Sequence, residues 1–484
     1  MTNHEPSCYN DDGTRVGDQL EYEFPEMPER AKSLLDITET PLDVRPGGYI
    51  LWGTLLFASF FRQWAYTVLS SLYAMAPADY TNFESVRGAT GLSADEYADI
   101  VYAYTIIAVS TMGVSGACAK LFGEGRTACT GLLFQVGGCV CCGLASGVPQ
   151  IAVGTVFQAA GFGIFLTPAY SLVFGIERSG TRRVLATTTI QAASNLGTAA
   201  ASMSVVMADN GLGWRGTYFV IATGLGISAI TLILAPNIFT TRGEVDTPIA
   251  ALTREIQDAA VWMYDGRSFF CLAIAASAMC GVSSTLEGTW ITTYFLDNYP
   301  YYADLYSYLT ASIITVGIGV GFLIVAGWLV DRIVSAALFG VPTILVVPGL
   351  SLICGAPFKL IAIVTNDDFF LAFMGEAIGK SFDTFIEAPL YVCLQLVSPP
   401  KHRPTVVGLF LFCYWVVAAT IAEIINDAFG LSLYQILLVA CGAQAAGGLG
   451  YIILGYAEYP AALRAATEHT HGSDDRAGAS PAVF

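Results

Sequence analysis

Residues 216–236 read GTYFVIATGLGISAITLILAP, an unbroken stretch from Gly216 to Pro236 with no charged side chain and no alternation of polar with apolar positions. Coiled as an α-helix, about 20 such residues span the hydrocarbon core of a bilayer. In lipid every backbone donor and acceptor must be satisfied within the element, so a run of this kind is a helix and not a barrel strand.

The same reading recurs outward in both directions. Earlier runs lie at Tyr49–Tyr73, Ala98–Ala119, Thr127–Ser146, Ile151–Gly175 and Val184–Ala208. Later ones lie at Ser268–Tyr294, Leu305–Val330, Ala336–Pro357, Phe369–Val397, Thr405–Ile425 and Leu431–Tyr456. The expected fold is therefore an all-α membrane protein of twelve transmembrane helices in two six-helix bundles, 49–236 and 268–456. A polar linker, 237–267, carries Arg242, Glu244, Asp246, Arg254, Glu255, Asp258 and Asp265 between them. An acidic tail, 1–48, and a tail expected to be disordered, 457–484, complete the chain.

Composition agrees, since 54% hydrophobic and 13% charged residues over 484 positions suit a bilayer and not water. The formal charge of −17 resides mainly in tails, outer loops and linker, and gives no basic footprint for nucleic acid. Apart from Cys8, the cysteines from Cys118 to Cys441 fall inside apolar runs, where thiols serve as small packing residues; Cys139 and Cys142 form a C-x-x-C by letter only. No Walker loop, metal-ligand cluster or nucleophile elbow appears, and His4, His402, His469 and His471 lie outside the runs, so neither an enzyme nor a cofactor is expected. Loops after even-numbered runs hold Lys120, Arg126, Arg178, Arg182, Arg183, Arg242, Arg254, Arg267, Arg332, Lys401 and Arg403, whereas those after odd-numbered runs hold only Arg87, Arg215 and Lys359. Positive charge stays inside, which puts both termini in the cytoplasm of an integral membrane protein.

Local motifs sharpen the picture. Gly327, Trp328, Leu329, Val330, Asp331 and Arg332 resemble the G-x-x-x-D-R signature of the major facilitator superfamily, found between the second and third helices of each half. The first-half equivalent, Gly116 to Arg126, keeps its glycines and final arginine but has Lys120 where an aspartate is expected. Gly213-Trp214-Arg215, Pro168 with Tyr170, Arg182 to Asn195 with Gly197, and Trp290 to Tyr294 are similar to further family fragments in the same order. The resemblance implies alternating access to a small-molecule solute by a monomer in the lipid bilayer. It also implies that Asp331 and Arg332, with Lys120 and Arg126, act in gating between lobes, and that the first, fourth, seventh and tenth helices line a central cavity.

Each ionisable residue inside the membrane costs at least about 2.5 kcal/mol unless paired or wetted. Arg62, half-way along the first run, offers a rigid fork of donors suited to a carboxylate or phosphate. In the tenth run Glu376, Lys380, Asp383 and Glu387 recur at helical spacing within an arc of about 60°, so all four face one way. Glu376 and Lys380 are in register for an internal pair, and Pro389 is placed to bend the helix. With Glu287 and Glu423, buried acids exceed bases, a route to coupling with protons. Trp64, Tyr66, Gln158, Gln191, Asn195 and Trp290 are candidate solute contacts. The function expected is secondary active transport of a small polar or anionic organic solute, either proton-coupled or exchanging. Alternatives are a non-transporting nutrient sensor of the same fold, or an amino-acid or lysolipid carrier.

Overall fold

The apolar runs fold as helices in the computed structural model, which describes residues 48–73, 86–176, 183–234, 248–302, 305–306, 309–335, 343–365, 367–399, 402–428 and 431–463. The tail 1–47, the linker stretch 235–247, residues 464–484 and the side chains of Asp331 and Glu387 lie outside the described residues.

The first half comprises α1 (Gly48–Tyr73), α2 (Ala94–Phe122), α3 (Glu124–Gly143), α4 (Val148–Ile176), α5 (Arg183–Met207) and α6 (Gly213–Leu234). The second comprises α7 (Arg267–Asn298), α8 (Leu323–Ser335), α9 (Thr343–Val364), α10 (Phe369–Asp383), α11 (Arg403–Ala428) and α12 (Leu433–Ile453). A π-helix, Thr310–Phe322, runs into α8, and another, Leu454–Glu458, extends α12. The linker includes a helix, Pro248–Asp265.

Eight of these membrane elements are individually long and apolar enough to cross a bilayer. The other four, α1, α3, α5 and α10, are shorter or carry more polar residues, among them Arg62, Gln191, Asn195 and Lys380. Outward faces stay apolar, as at Ile230, Leu234 and Val325, because lipid and not water surrounds them.

Local sequence explains the ends. Ser93 caps α2 by accepting from the Glu96 N–H, while the Glu96 carboxylate accepts from the Ser93 N–H, a reciprocal capping box. Gly123, at φ 94°, lets α2 reverse directly into α3, a backbone region that L side chains avoid. In the tenth element the helix breaks at Thr384–Ile386 and resumes as Glu387–Val397. Pro389 lacks the N–H that would bond the Phe385 carbonyl, so the break expected from it occurs just upstream.

Within the first lobe α1 packs on α5 and α6, and α3 on α4 and α6; in the second, α7 and α9 pack on α12, and α9 on α10. Two seams join the lobes, α2 against α11 and α5 against the π-helix and α8. Each seam rests on a motif glycine. A Cβ on Gly116 would overlap the Pro404 carbonyl of α11, and one on Gly327 would overlap the Thr188 hydroxyl of α5. Close backbone approach through small residues is how helices associate in lipid, where the hydrophobic effect does not drive them together.

Candidate functional site

Between the lobes lies a cavity of ≈ 450 Å³, within the range of small-molecule sites. Its first-lobe wall is Gln191, Asn195 and Thr198 of α5; its second-lobe wall includes Ser283 and Ser284 of α7, Lys380 and Asp383 of α10, Trp415 of α11 and Gln444 of α12. Ser283 Oγ, Asp383 Oδ1 and Gln444 Oε1 are buried polar atoms of this wall without a protein partner among the described residues.

Toward the linker the lobes close on each other. The Tyr170 ring of α4 stacks on Tyr391 at 4.4 Å between centroids, and the Tyr170 hydroxyl donates to Gln191 Oε1 at 3.0 Å. Gln395 Nε2 donates to the Tyr170 carbonyl at 3.4 Å, and Arg403 Nε donates to the Gln395 carbonyl at 2.7 Å. Asn195 Nδ2 donates to the Gly319 carbonyl across the other seam. Tyr391 therefore forms the cavity floor on the linker side.

The charges sort into three places. In the second lobe, Lys359 Nζ of α9 donates to Glu287 Oε2 at 2.6 Å and to Asp383 Oδ2 at 2.5 Å. Lys380 Nζ lies 2.7 Å from Glu287 Oε1 and 3.8 Å from Asp383 Oδ2. Lys380 thus turns to α7 and along its own helix to Asp383, and not to Glu376 as the helical register suggested, because the Glu287 carboxylate sits closer. Glu287, Lys359 and Glu376 border a small adjoining pocket of ≈ 10 Å³, about the room for one water. The cluster therefore runs from the cavity wall into the lobe.

Lys359 is the residue that sequence reading misplaced. Ending the ninth run at Pro357 puts it in an outer loop; α9 instead continues to Val364 with Pro348 and Pro357 inside it. Proline inside a membrane helix is tolerated where neighbouring helices, hydroxyl side chains or local adjustments re-satisfy the freed carbonyl. The available signal was the apolar stretch beyond the proline, Leu360 to Val364.

In the first lobe Arg62 is 3% exposed and has no acidic partner among the described residues. One Nη donates to Ser194 Oγ at 3.0 Å, its guanidinium lies 4.3 Å from the Phe162 ring centroid, and Nε and the other Nη have no acceptor. The Tyr104 hydroxyl, on a ring that also packs on Phe162, is another buried group without a partner among the described residues. Arg62 sits behind Ser194, one turn from the cavity-lining Gln191, and does not itself line the cavity.

At the linker end Glu255 of the linker helix is 5% exposed. It pairs with Lys120 at the end of α2, lies 2.8 Å from His402 Nδ1, and accepts from the Thr405 hydroxyl of α11 at 3.0 Å. Lys120 stands where an aspartate was expected, and the carboxylate at the start of α11 comes instead from the linker. Arg126 is exposed, and Arg332 places its guanidinium over Trp328 at 5.7 Å.

The remaining candidates are scattered. Trp64 donates its Nε1 to Ser204 Oγ at 2.7 Å between α1 and α5, and Gln158 is buried between α3 and α4, donating to Cys142 Sγ at 3.3 Å. Tyr66 is exposed beside Tyr104 and Phe162; Trp290 packs between two apolar clusters of the second lobe. Glu423 lies on the exposed face of α11.

Comparison with known proteins follows from this geometry. The Major Facilitator Superfamily profile matches residues 55–422. In fold, 84% of the chain superposes on 99% of a Major Facilitator Superfamily transporter, FucP, in the outward conformation, with a TM-score of 0.60 and 13% identity. Likewise, 83% of the chain superposes on 94% of the proton:xylose symporter XylE bound to 6-bromo-6-deoxy-D-glucose, with a TM-score of 0.59 and 13% identity. No curated protein matches the sequence.

Proposed function

The chain belongs to the major facilitator superfamily, and on that premise we propose that it is a proton-coupled secondary transporter of a small polar or anionic organic solute. Secondary transport across a bilayer is what the superfamily fold supports in general; the solute class and the coupling are the reading offered here.

One observation carries it: a cluster of two ammonium and three carboxylate groups reaches from the cavity wall at Lys380 and Asp383 into a buried pocket at Glu287, Lys359 and Glu376. Fully ionised, it carries one net negative charge in a low-dielectric lobe, and one proton neutralises it. An anionic group that takes hydrogen bonds from Lys380 withdraws that ammonium from Glu287. The carboxylates then bind a proton more tightly, and by reciprocity the proton favours the solute. Arg62, buried with donors to spare, supplies a second cationic centre in the opposite lobe once the wall of α5 moves. The unpartnered polar atoms of Ser283, Asp383 and Gln444 suit the polar remainder of the solute. The lysine and arginine bias supports cytoplasmic termini, and a cavity built within one chain supports function as a monomer.

The test is uptake into proteoliposomes of a pooled library of labelled organic anions, phosphorylated metabolites, amino acids and lysolipids, with and without an imposed pH gradient. Accumulation that rises with the gradient supports the proposal and names the solute. Uptake indifferent to the gradient would remove the proton coupling, and binding without accumulation would make the protein a sensor.

A further inference from the structure

We propose that Lys359 is a tethered counter-cation that fixes which ion the carboxylate cluster answers to: its ammonium fills the place between Glu287 and Asp383 that a sodium ion would otherwise take. The inference rests on the reading of that cluster as the coupling centre, and its test does not require transport.

Carboxylates contributed by different helices inside a membrane need a positive charge between them, which comes from a bound metal cation, a proton or a side chain. Here it comes from a side chain. Lys359 Nζ stands 2.6 Å from the α7 carboxylate and 2.5 Å from the α10 carboxylate, with a side-chain exposure of 4%. The remaining titratable groups around it are Glu376 and Lys380 on α10, Cys280 on α7 and Cys441 on α12.

The neighbouring helix is shaped to admit it. Gly375 and Gly379 of α10 form a G-x-x-x-G pair facing α9. A Cβ on Gly375 would come within 2.7 Å of the Phe358 carbonyl, and one on Gly379 would overlap the Lys359 side chain itself. The two glycines therefore bring α9 against α10 and leave a groove for the lysine stem, so that the ammonium reaches both carboxylates at once. With that position filled, the Glu287 and Asp383 oxygens that face each other already hold their cation, and a metal ion could bridge them only by displacing the ammonium. A proton binds a single carboxylate oxygen without a coordination shell, and so joins the cluster with the ammonium in place.

The experiment measures melting of the purified full chain in detergent, in sodium, potassium and choline chloride at equal ionic strength. The wild type is expected to melt at one temperature in all three salts. Lys359→Ala leaves two carboxylates around a space the size of an ammonium group, and is expected to melt lower in choline and to recover about 3 °C or more, saturably, in sodium. Lys359→Arg, which keeps the charge, is expected to be indifferent to the salt. A second variant, Lys359→Ala with Asp383→Asn, removes the charge together with one partner and is expected to fold equally in every salt. Sodium-selective stabilisation of the wild type, no cation response in Lys359→Ala, or a double variant that melts higher in sodium than in choline would each overturn the proposal. None of these outcomes depends on finding the solute, so a failed uptake screen and a failed Lys359 assignment are distinguishable.

Discussion

Arg62 is a guanidinium held in a membrane protein without a counter-charge among the described residues, an arrangement that costs about 3 kcal/mol unless something else repays it. Arg62→Met, similar in length and apolar, is therefore expected to raise the melting temperature by a few degrees while abolishing uptake of an anionic solute. If melting temperature and uptake fell together, the arginine would be structural. Asp383 has a different role, since one of its oxygens is bound by Lys359 and the other has no protein partner. Asp383→Asn is expected to flatten the pH dependence of uptake while changing the half-saturating solute concentration less than about threefold, as read from uptake at a series of pH values. The stripe of Glu376, Lys380 and Asp383 was legible because charge at helical spacing in an apolar run has one physical reading. Lys359 was not, since its partners lie 72 and 24 residues away along the chain.

At the scale of elements, the linker helix is more than a connection. Glu255 takes a lysine from the first lobe and a histidine and a threonine from the second, beside the place where Gly116 lets α2 touch α11. Opening the linker side must break this knot. Glu255→Gln weakens its charge-assisted bonds by about 1.5 kcal/mol, roughly a tenfold shift in the equilibrium between lobe arrangements. The measurement is labelling of the cavity-lining Cys280 by an impermeant thiol reagent applied to either face, followed by peptide mapping. Labelling from the linker face is expected to rise in Glu255→Gln and to return toward wild type when Lys120→Glu is combined with Glu255→Lys. Gly327→Val places methyl groups against Thr188 and is expected to hold the α5–α8 seam apart, which the same labelling would show as faster reaction of Cys280 from the linker face. The sequence reading found both motif glycines and the missing aspartate at Lys120, but nothing in the chain's order shows that a linker carboxylate stands near that position.

For the molecule as a whole, a cavity closed toward the linker by Tyr170 on Tyr391 lies where the two six-helix lobes meet. Uptake is accordingly expected to saturate, and Tyr391→Ala, which removes half of the stacked floor, is expected to raise leak of solute down its gradient, measured as efflux from preloaded proteoliposomes. The sequence by itself determined the twelve apolar elements, the two halves and the membrane class, because lipid enforces helix length and apolarity segment by segment and each segment can be read alone. It also marked the tenth element as the charged one, since a stripe repeats within a single helix. Which charges meet was decided only by the tertiary structure. Glu287 with Lys359 and Lys380, Glu255 with Lys120, and Arg62 with no carboxylate among the described residues are outcomes of how helices distant in sequence pack, and an ion pair has no periodicity for a sequence to display.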